Sequence, residues 1–167
     1  MDIQAKKIFV FDTNVVVHAM QVAIAGSNSA DLTLAFNLLT AATQQHHVCA
    51  SDKTMAEIAE VNVDLLGKTR MTKSQMVQRI HFINHLQRQT KRVDPQRVPI
   101  QCRDPKDQMF LEAAMGASQR FGGLATIVTN DRDLLTLKRA LQLTGLPIRV
   151  ATPLEQSHKL GLLATTP

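Results

Sequence analysis

Short β-branched or aromatic runs alternate with longer amphipathic stretches along this chain, and that alternation restricts the fold more than any other feature. The strand-like runs are Lys7 to Phe11, His47 to Ala50, Thr90 to Val93, Ala125 to Thr129 and Ile148 to Ala151. Between them, helical spacing recurs over Val15 to Ile24, Thr33 to Gln44, Ser51 to about Leu66, Thr72 to Gln87, Pro105 to Gln119 and about Asp131 to Leu141. In the fourth of these helices Met76, Ile80 and Ile83 are expected to share the inward face. Strands separated by helices imply parallel neighbours, because a parallel pair needs a long crossover, and a parallel sheet must be covered on both faces. The expectation is an α/β sandwich. Ser51 and the run Thr152-Pro153-Leu154-Glu155 read as helix starts, the latter as a capping box, and Gly26 to Asp31 reads as a turn.

The chain has 167 residues and 44% hydrophobic content, enough for one well-buried core and short for two. No apolar run reaches the ~18 residues of a membrane span, and MDIQAKK leads into a strand rather than a signal-peptide core, so a cytoplasmic protein is expected. Cys49 and Cys102 lie in no metal-ligand or disulfide spacing and read as two small buried thiols. Lys and Arg exceed Asp and Glu by 19 to 14. If several acids are gathered in one place, the remaining surface is more basic still, which suits a polyanionic partner. With no Trp or Tyr and six Phe, a broad base-stacking platform is not expected.

Ligand sites of parallel sheets form beyond the carboxyl ends of the strands. Asp12 directly follows the first strand, and Asp131 stands two residues beyond the fourth. Asp107 sits in the first turn expected for its helix, which in a crossover architecture opens near the same edge. On the helix after Ser51, an inward stripe of Met55, Ile58, Val61, Asn62 and Leu65 leaves Glu57 at its margin and Glu60 nearly opposite, so Glu57 is the one that faces a cleft. Each acid also has a plainer role. Asp104 reads as an N-cap with Asp107 near the positive end of the dipole, Asn130 or Asp131 as the next cap, and Asp133 as its dipole complement. Taken singly, those roles are the commoner ones; it is the shared edge that points to a cluster. Gathered carboxylates repel one another and raise each other's pKa unless a cation intervenes, and oxygen-only donors suit Mg2+ or Mn2+.

Four stretches in order, FDTNVVV, SDKTMAEIAEV, RDPKDQMFLEAA and VTNDRDLL, resemble the PIN-domain family, and within it the toxin components of bacterial toxin–antitoxin systems. The resemblance spans about Ile8 to Glu155, giving one domain over 1–155 and a tail over 156–167. It implies a three-layer α/β sandwich around a five-stranded parallel sheet of order 3-2-1-4-5, and a Mg2+- or Mn2+-dependent endoribonuclease leaving 5′-phosphate and 3′-hydroxyl ends. The family's acids fall on Asp12, Glu57, Asp107 and Asp131, as catalytic and metal-holding residues. Asp104 and Asp133 match additional acids, and Asn14 and Thr129 match polar residues that position the site. Asn130 replaces the glycine of many relatives, a change the turn tolerates because Asn accepts a left-handed backbone better than most residues. RNA as substrate, an antitoxin segment placing Arg or Lys in the acidic groove, and a homodimer are further implications.

Competing readings have less in their favour. A haloacid-dehalogenase-like phosphatase needs a second Asp two residues after the first, where this chain has Asn14. A catalytically silent RNA-binding or assembly module with the same fold stands as the alternative. His81 and His85 are four apart on a helix, but no third metal ligand accompanies them. His46-His47 lies in no ligand pattern. Arg88, Lys91, Arg92, Arg97 and Arg103 bracket a strand and loop and are candidates to track phosphates.

Overall fold

The computed structural model describes residues 5–68 and 70–163. Residues 1–4 and 164–167, which carry parts of the N-terminal and tail expectations, lie outside the described residues. Five strands, β1 (Ile8–Phe11), β2 (His47–Ala50), β3 (Lys91–Arg92), β4 (Ala125–Val128) and β5 (Ile148–Ala151), form one all-parallel sheet in the order β3-β2-β1-β4-β5. The expected fold class and sheet order are borne out. Ile8 aligns with His47 on one side and Ala125 on the other, so β1 is central and its neighbours leave it in opposite chain directions.

β1 is buried at every position, because both faces of the sheet are covered. Ile8 and Val10 join one apolar cluster, with Phe110, Leu111, Ala114, Ile127 and Val150. Phe9 and Phe11 join the other, with Val15, Met20, Leu38 and Ile58. The first face is covered by α5 (Gln108–Phe121), α6 (Arg132–Thr136) and α7 (Lys138–Thr144); the second by α1 (Thr13–Ala25), α2 (Ala30–Gln45), α3 (Asp52–Lys68), α4 (Lys73–Gln89) and α8 (Pro153–Leu160). Each fully buried large side chain contributes about 1.5–3 kcal/mol, so the two clusters hold the strand ends in fixed relation. Gly116 on α5 makes a specific close approach possible: a Cβ there would meet the backbone oxygen of Asp94 at 2.0 Å. Gln96 N–H donates to the Glu112 carbonyl at 3.0 Å beside it, seating the long loop after β3 on α5.

Several boundaries differ from the sequence expectation. α5 begins at Gln108 rather than Pro105, because the Asp104 carboxylate accepts the Lys106 N–H at 2.9 Å and closes a turn instead of a cap. The helix expected over Asp131 to Leu141 is two, α6 and α7, broken where Leu137 N–H bonds the Leu134 carbonyl. In α4, Met76 and Ile80 are 38% and 51% exposed, and the buried positions are Arg79, Ile83 and Leu86, so the inward stripe passes through Arg79 rather than Ile80. β3 is two residues long; Thr90 instead ends α4, donating its hydroxyl to the Leu86 carbonyl. Cys49 is buried, whereas Cys102 is only partly so. Ser51 Oγ accepts the Thr54 N–H at 3.3 Å, and Thr152 with Glu155 forms the expected capping box. That helix continues to Leu160, with Gln156 and Ser157 fully buried. No helix among the described residues is long and apolar enough to cross a membrane.

Candidate active site

Asp12 ends β1 and opens α1, where the chain turns from strand to helix on a fully packed base. Its N–H donates to Val128 O at 3.0 Å, extending the β1–β4 ladder by one bond, so the position of its backbone is set by the sheet. The residue is 5% exposed, and its carboxylate makes no capping bond of standard geometry. Instead Oδ2 accepts the Thr129 hydroxyl at 2.7 Å. The same Thr129 oxygen accepts the Asp131 N–H at 2.8 Å, so one fully buried hydroxyl ties the ends of β1 and β4 together. Burial raises the Asp12 pKa; the Thr129 hydroxyl and the nearby Asn14 N–H oppose the rise, and the charges of Glu57 and Asp131 add to it.

Asp131 caps α6: its Oδ1 accepts the N–H groups of Asp133 at 2.7 Å and Leu134 at 3.3 Å. The plainer role therefore exists here, but it uses one carboxylate oxygen and leaves the other free. Asp107, immediately before α5, makes no capping bond. Carboxylate oxygens of Asp107, Asp131 and Asp133 all lie within 4.8 Å of one another. At that separation two charges at an effective dielectric of 20 repel by roughly 3 kcal/mol. Asp107 is accordingly pushed up to about 7, first by burial and then by the charges of Asp131, Asp12, Asp104 and Asp133. Among the described residues, the one cation paired with this group is Arg103, whose exposed guanidinium stands 3.8 Å from Asp133.

Glu57, on α3, acts on Asp12 and stands outside the tight triple. It is half-buried on α3 while Glu60 is exposed, and its carboxylate accepts a short hydrogen bond from the Thr13 hydroxyl. Thr13, next to Asp12, was not singled out from the sequence. Its only signal was a hydroxyl on the first, buried turn of the helix that opens at the strand end. Asn14 is exposed; its carboxamide bonds none of these carboxylates, and what reaches Asp12 from that position is the backbone N–H. Asp104 is exposed and spent on its turn, although its charge is felt by Asp107. Asp133, expected only as an additional acid, stands in the tight triple, whereas Asp12 lies outside it.

Beside the acids, a groove of about 530 Å³ runs between α3 and α5, lined by Glu57 and Glu60 with Lys53 and Lys106. A hollow of about 570 Å³ beside β5, α7 and α8 is lined by none of the clustered acids.

A family model described as "PIN domain" matches residues 9–133. The chain belongs to the PIN-domain family. The matched span runs from β1 through Asp133 and so contains every acid of the cluster. No curated protein and no solved structure matches the chain significantly. Members of the family generally are nucleases, those nucleases use divalent metals, and this chain carries a nuclease-family fold with an acidic cluster at the carboxyl edge of its sheet. The residues suit such an ion: the donors are all carboxylate oxygens, they are close enough to share one cation, and only an exposed arginine offsets their charge.

Proposed function

We propose that this protein is a Mg2+- or Mn2+-dependent endoribonuclease. The observation that carries the reading is the cluster of Asp107, Asp131 and Asp133 carboxylates beside Asp12, offset among the described residues by the exposed Arg103 alone. Asp12, Asp107 and Asp131 would hold the cation, with Asp133 beside them and Glu57 from α3. When bound, the ion supplies Lewis acidity, making water a better nucleophile and offsetting charge that develops on the phosphoryl oxygens.

The protein's own groups do the rest. Thr129 fixes the angle of the Asp12 carboxylate and Thr13 that of Glu57, as hydrogen-bonding supports of metal ligands do. Burial of Asp12 keeps water from competing at its oxygens. Lys53 and Lys106, lining the groove alongside Glu57, meet phosphates on either side of the scissile one. Hydrolysis on this pattern leaves 5′-phosphate and 3′-hydroxyl ends.

As the toxin of a toxin–antitoxin pair, the chain would be silenced by an Arg- or Lys-bearing segment entering the acidic groove. Exposed Val63, Val77 and Ile80 on α3 and α4 offer a face for a second copy. The deciding experiment is a cleavage assay on mixed RNAs with Mn2+ or Mg2+, run beside Asp12→Asn. Metal-dependent cleavage that disappears in the variant is expected. Equal cleavage by the variant overturns the assignment, and no cleavage by a wild-type protein that binds Mn2+ favours the silent RNA-binding module.

A further inference from the structure

At the amino edge of the sheet, opposite the acids, charge has the other sign. The segments that enter the five strands there are 5–7, 44–47, 87–91, 119–125 and 143–148. They hold Lys6, Lys7, Arg88, Lys91 and Arg120, and not one Asp or Glu. Of these five, Lys6, Arg88, Lys91 and Arg120 are exposed, and none is ion-paired with a carboxylate among the described residues. Ile8 aligns with His47 at this edge, while Lys91 aligns with Cys49 two residues further along, so the patch runs from the amino edge onto the outer strand β3. Their charges act on the same groups: Lys6 and Lys7 on His46, Lys6 and Lys91 on His47, Arg120 and Lys91 on Cys49.

Helix dipoles account for part of the pattern. Arg88 and Arg120 lie in the last turns of α4 and α5, where a cation is favoured. Lys6, Lys7 and Lys91 stand at strand entrances, where no helix end calls for them. A stacked surface lies among them. The His47 ring is stacked on that of Phe121, 4.3 Å away and nearly parallel to it, and the Arg120 guanidinium sits 5.3 Å from the centre of the same Phe. Cations interleaved with a flat aromatic pair are what a single-stranded nucleic acid needs, phosphates for the first and a base for the second.

We propose that this amino-edge patch is a second RNA-binding site, distinct from the cleavage groove, which holds single-stranded RNA by its backbone while another part of the strand lies at the acids. The identity of the polyanion rests on the nuclease reading; the existence of the site does not. The four residues of β1 separate Lys6 and Lys7 from Asp12 by about 13 Å, whereas Lys91, level with Cys49, lies nearer the acids. A strand must therefore be several nucleotides long to touch both, and a very short one reaches only the groove.

The test measures RNA binding in EDTA, where cleavage is absent, by fluorescence anisotropy of a labelled oligouridylate of about 20 nucleotides and of a tetranucleotide. The variant is Lys6→Gln/Arg88→Gln/Lys91→Gln, with all three sites exposed; an unchanged melting temperature and Mn2+ affinity show that fold and acids are intact. For the long RNA, the expected result is at least tenfold weaker binding at low salt and a shallower salt dependence. The slope of log K against log salt should fall by about two, from three phosphate contacts at roughly 0.7 each. Tetranucleotide binding should be unchanged.

Unchanged affinity and slope for the long RNA overturn the proposal. So does an equal loss for both RNAs, which marks general electrostatics rather than a second site. So does a loss confined to a different polyanion such as polyglutamate. Absence of metal-dependent cleavage by the wild type, with the long-RNA loss intact, removes the nuclease reading and leaves the site standing.

Discussion

The two edges of this sheet are built from the same strands and differ in the sign of their charge. At the carboxyl edge, Asp12, Glu57, Asp107, Asp131 and Asp133 gather on supports that are buried, hydrogen-bonded and shared, with Thr129 serving two of them at once. In the basic patch the cations are mostly exposed and none is ion-paired with a carboxylate among the described residues, although Arg120 donates to the Arg92 carbonyl and sits over Phe121. The first arrangement costs stability, since like charges are held together in partial burial, and such a cost persists in folds where it serves chemistry. The second costs little and gives little rigidity, which suits contact with a flexible polyanion. A partly buried acidic centre and an exposed basic margin are thus different physical objects, and each can be perturbed without the other.

The largest perturbation falls on the acids. Asp12→Asn should lower metal-dependent RNA cleavage by at least a hundredfold while leaving the circular dichroism spectrum unchanged. Removing the packing that seats the loop comes next. Gly116→Ala forces a Cβ onto the Asp94 carbonyl and should destabilise the protein by about 2–3 kcal/mol, read as a lowered denaturant midpoint. It should also displace Asp104 and Asp107 and so weaken Mn2+ binding. Thr129→Val leaves the buried Asp12 carboxylate and the Asp131 N–H without their partner, and a cost of about 1–3 kcal/mol is expected in chemical denaturation.

A smaller effect should appear in pH dependence. Asp107 is raised from 3.8 to about 7 in the folded chain, so between those values the native state holds more protons than the unfolded one. Metal-free stability should therefore fall as pH rises from about 4 to 7, with the penalty fully present above that range. In Asp107→Asn that part of the slope should vanish. Below pH 7 a cation must displace the same proton, so Mn2+ affinity should rise by up to about tenfold per pH unit and level off above 7. Titration calorimetry at two pH values reads this, and a pH-independent affinity would detach Asp107 from the metal.

Much of the frame was legible in the residues. IFVF is buried on both faces of the sheet and so is apolar throughout, ATIV and IRVA are nearly so apart from Thr126 and Arg149, and a strand followed directly by Asp leaves that Asp at the carboxyl edge. Ser51 and Thr152 announced helix starts because capping chemistry is local. The expected helix start at Pro105 failed for the same reason that it looked sound: Asp104 can close a turn or cap a helix with the same oxygen, and only the seating of the preceding loop on Gly116 decides. Met76 and Ile80 satisfy helical periodicity, but so does the adjacent stripe through Arg79, Ile83 and Leu86, and only tertiary packing decides which one turns inward. The Thr13 to Glu57 bond joins residues 44 apart, and no local pattern encodes it. That Asp133 lies within 4.8 Å of Asp107 and Asp131 is not legible in the sequence, because spacing along a chain gives the edge on which a carboxylate lies, not its distance from the others.

The central claim is that remote carboxylates converge on one divalent cation, and a thermal melt with and without Mn2+ tests it most directly. At a concentration of a hundred times Kd, linkage stabilises the folded state by about 2.7 kcal/mol, equivalent to about 5–10 °C for a chain of this size. The account predicts such a rise for the wild type and its loss in a paired Asp107→Asn/Asp131→Asn variant. An equal rise in that variant, or none in the wild type at millimolar Mn2+, would contradict it.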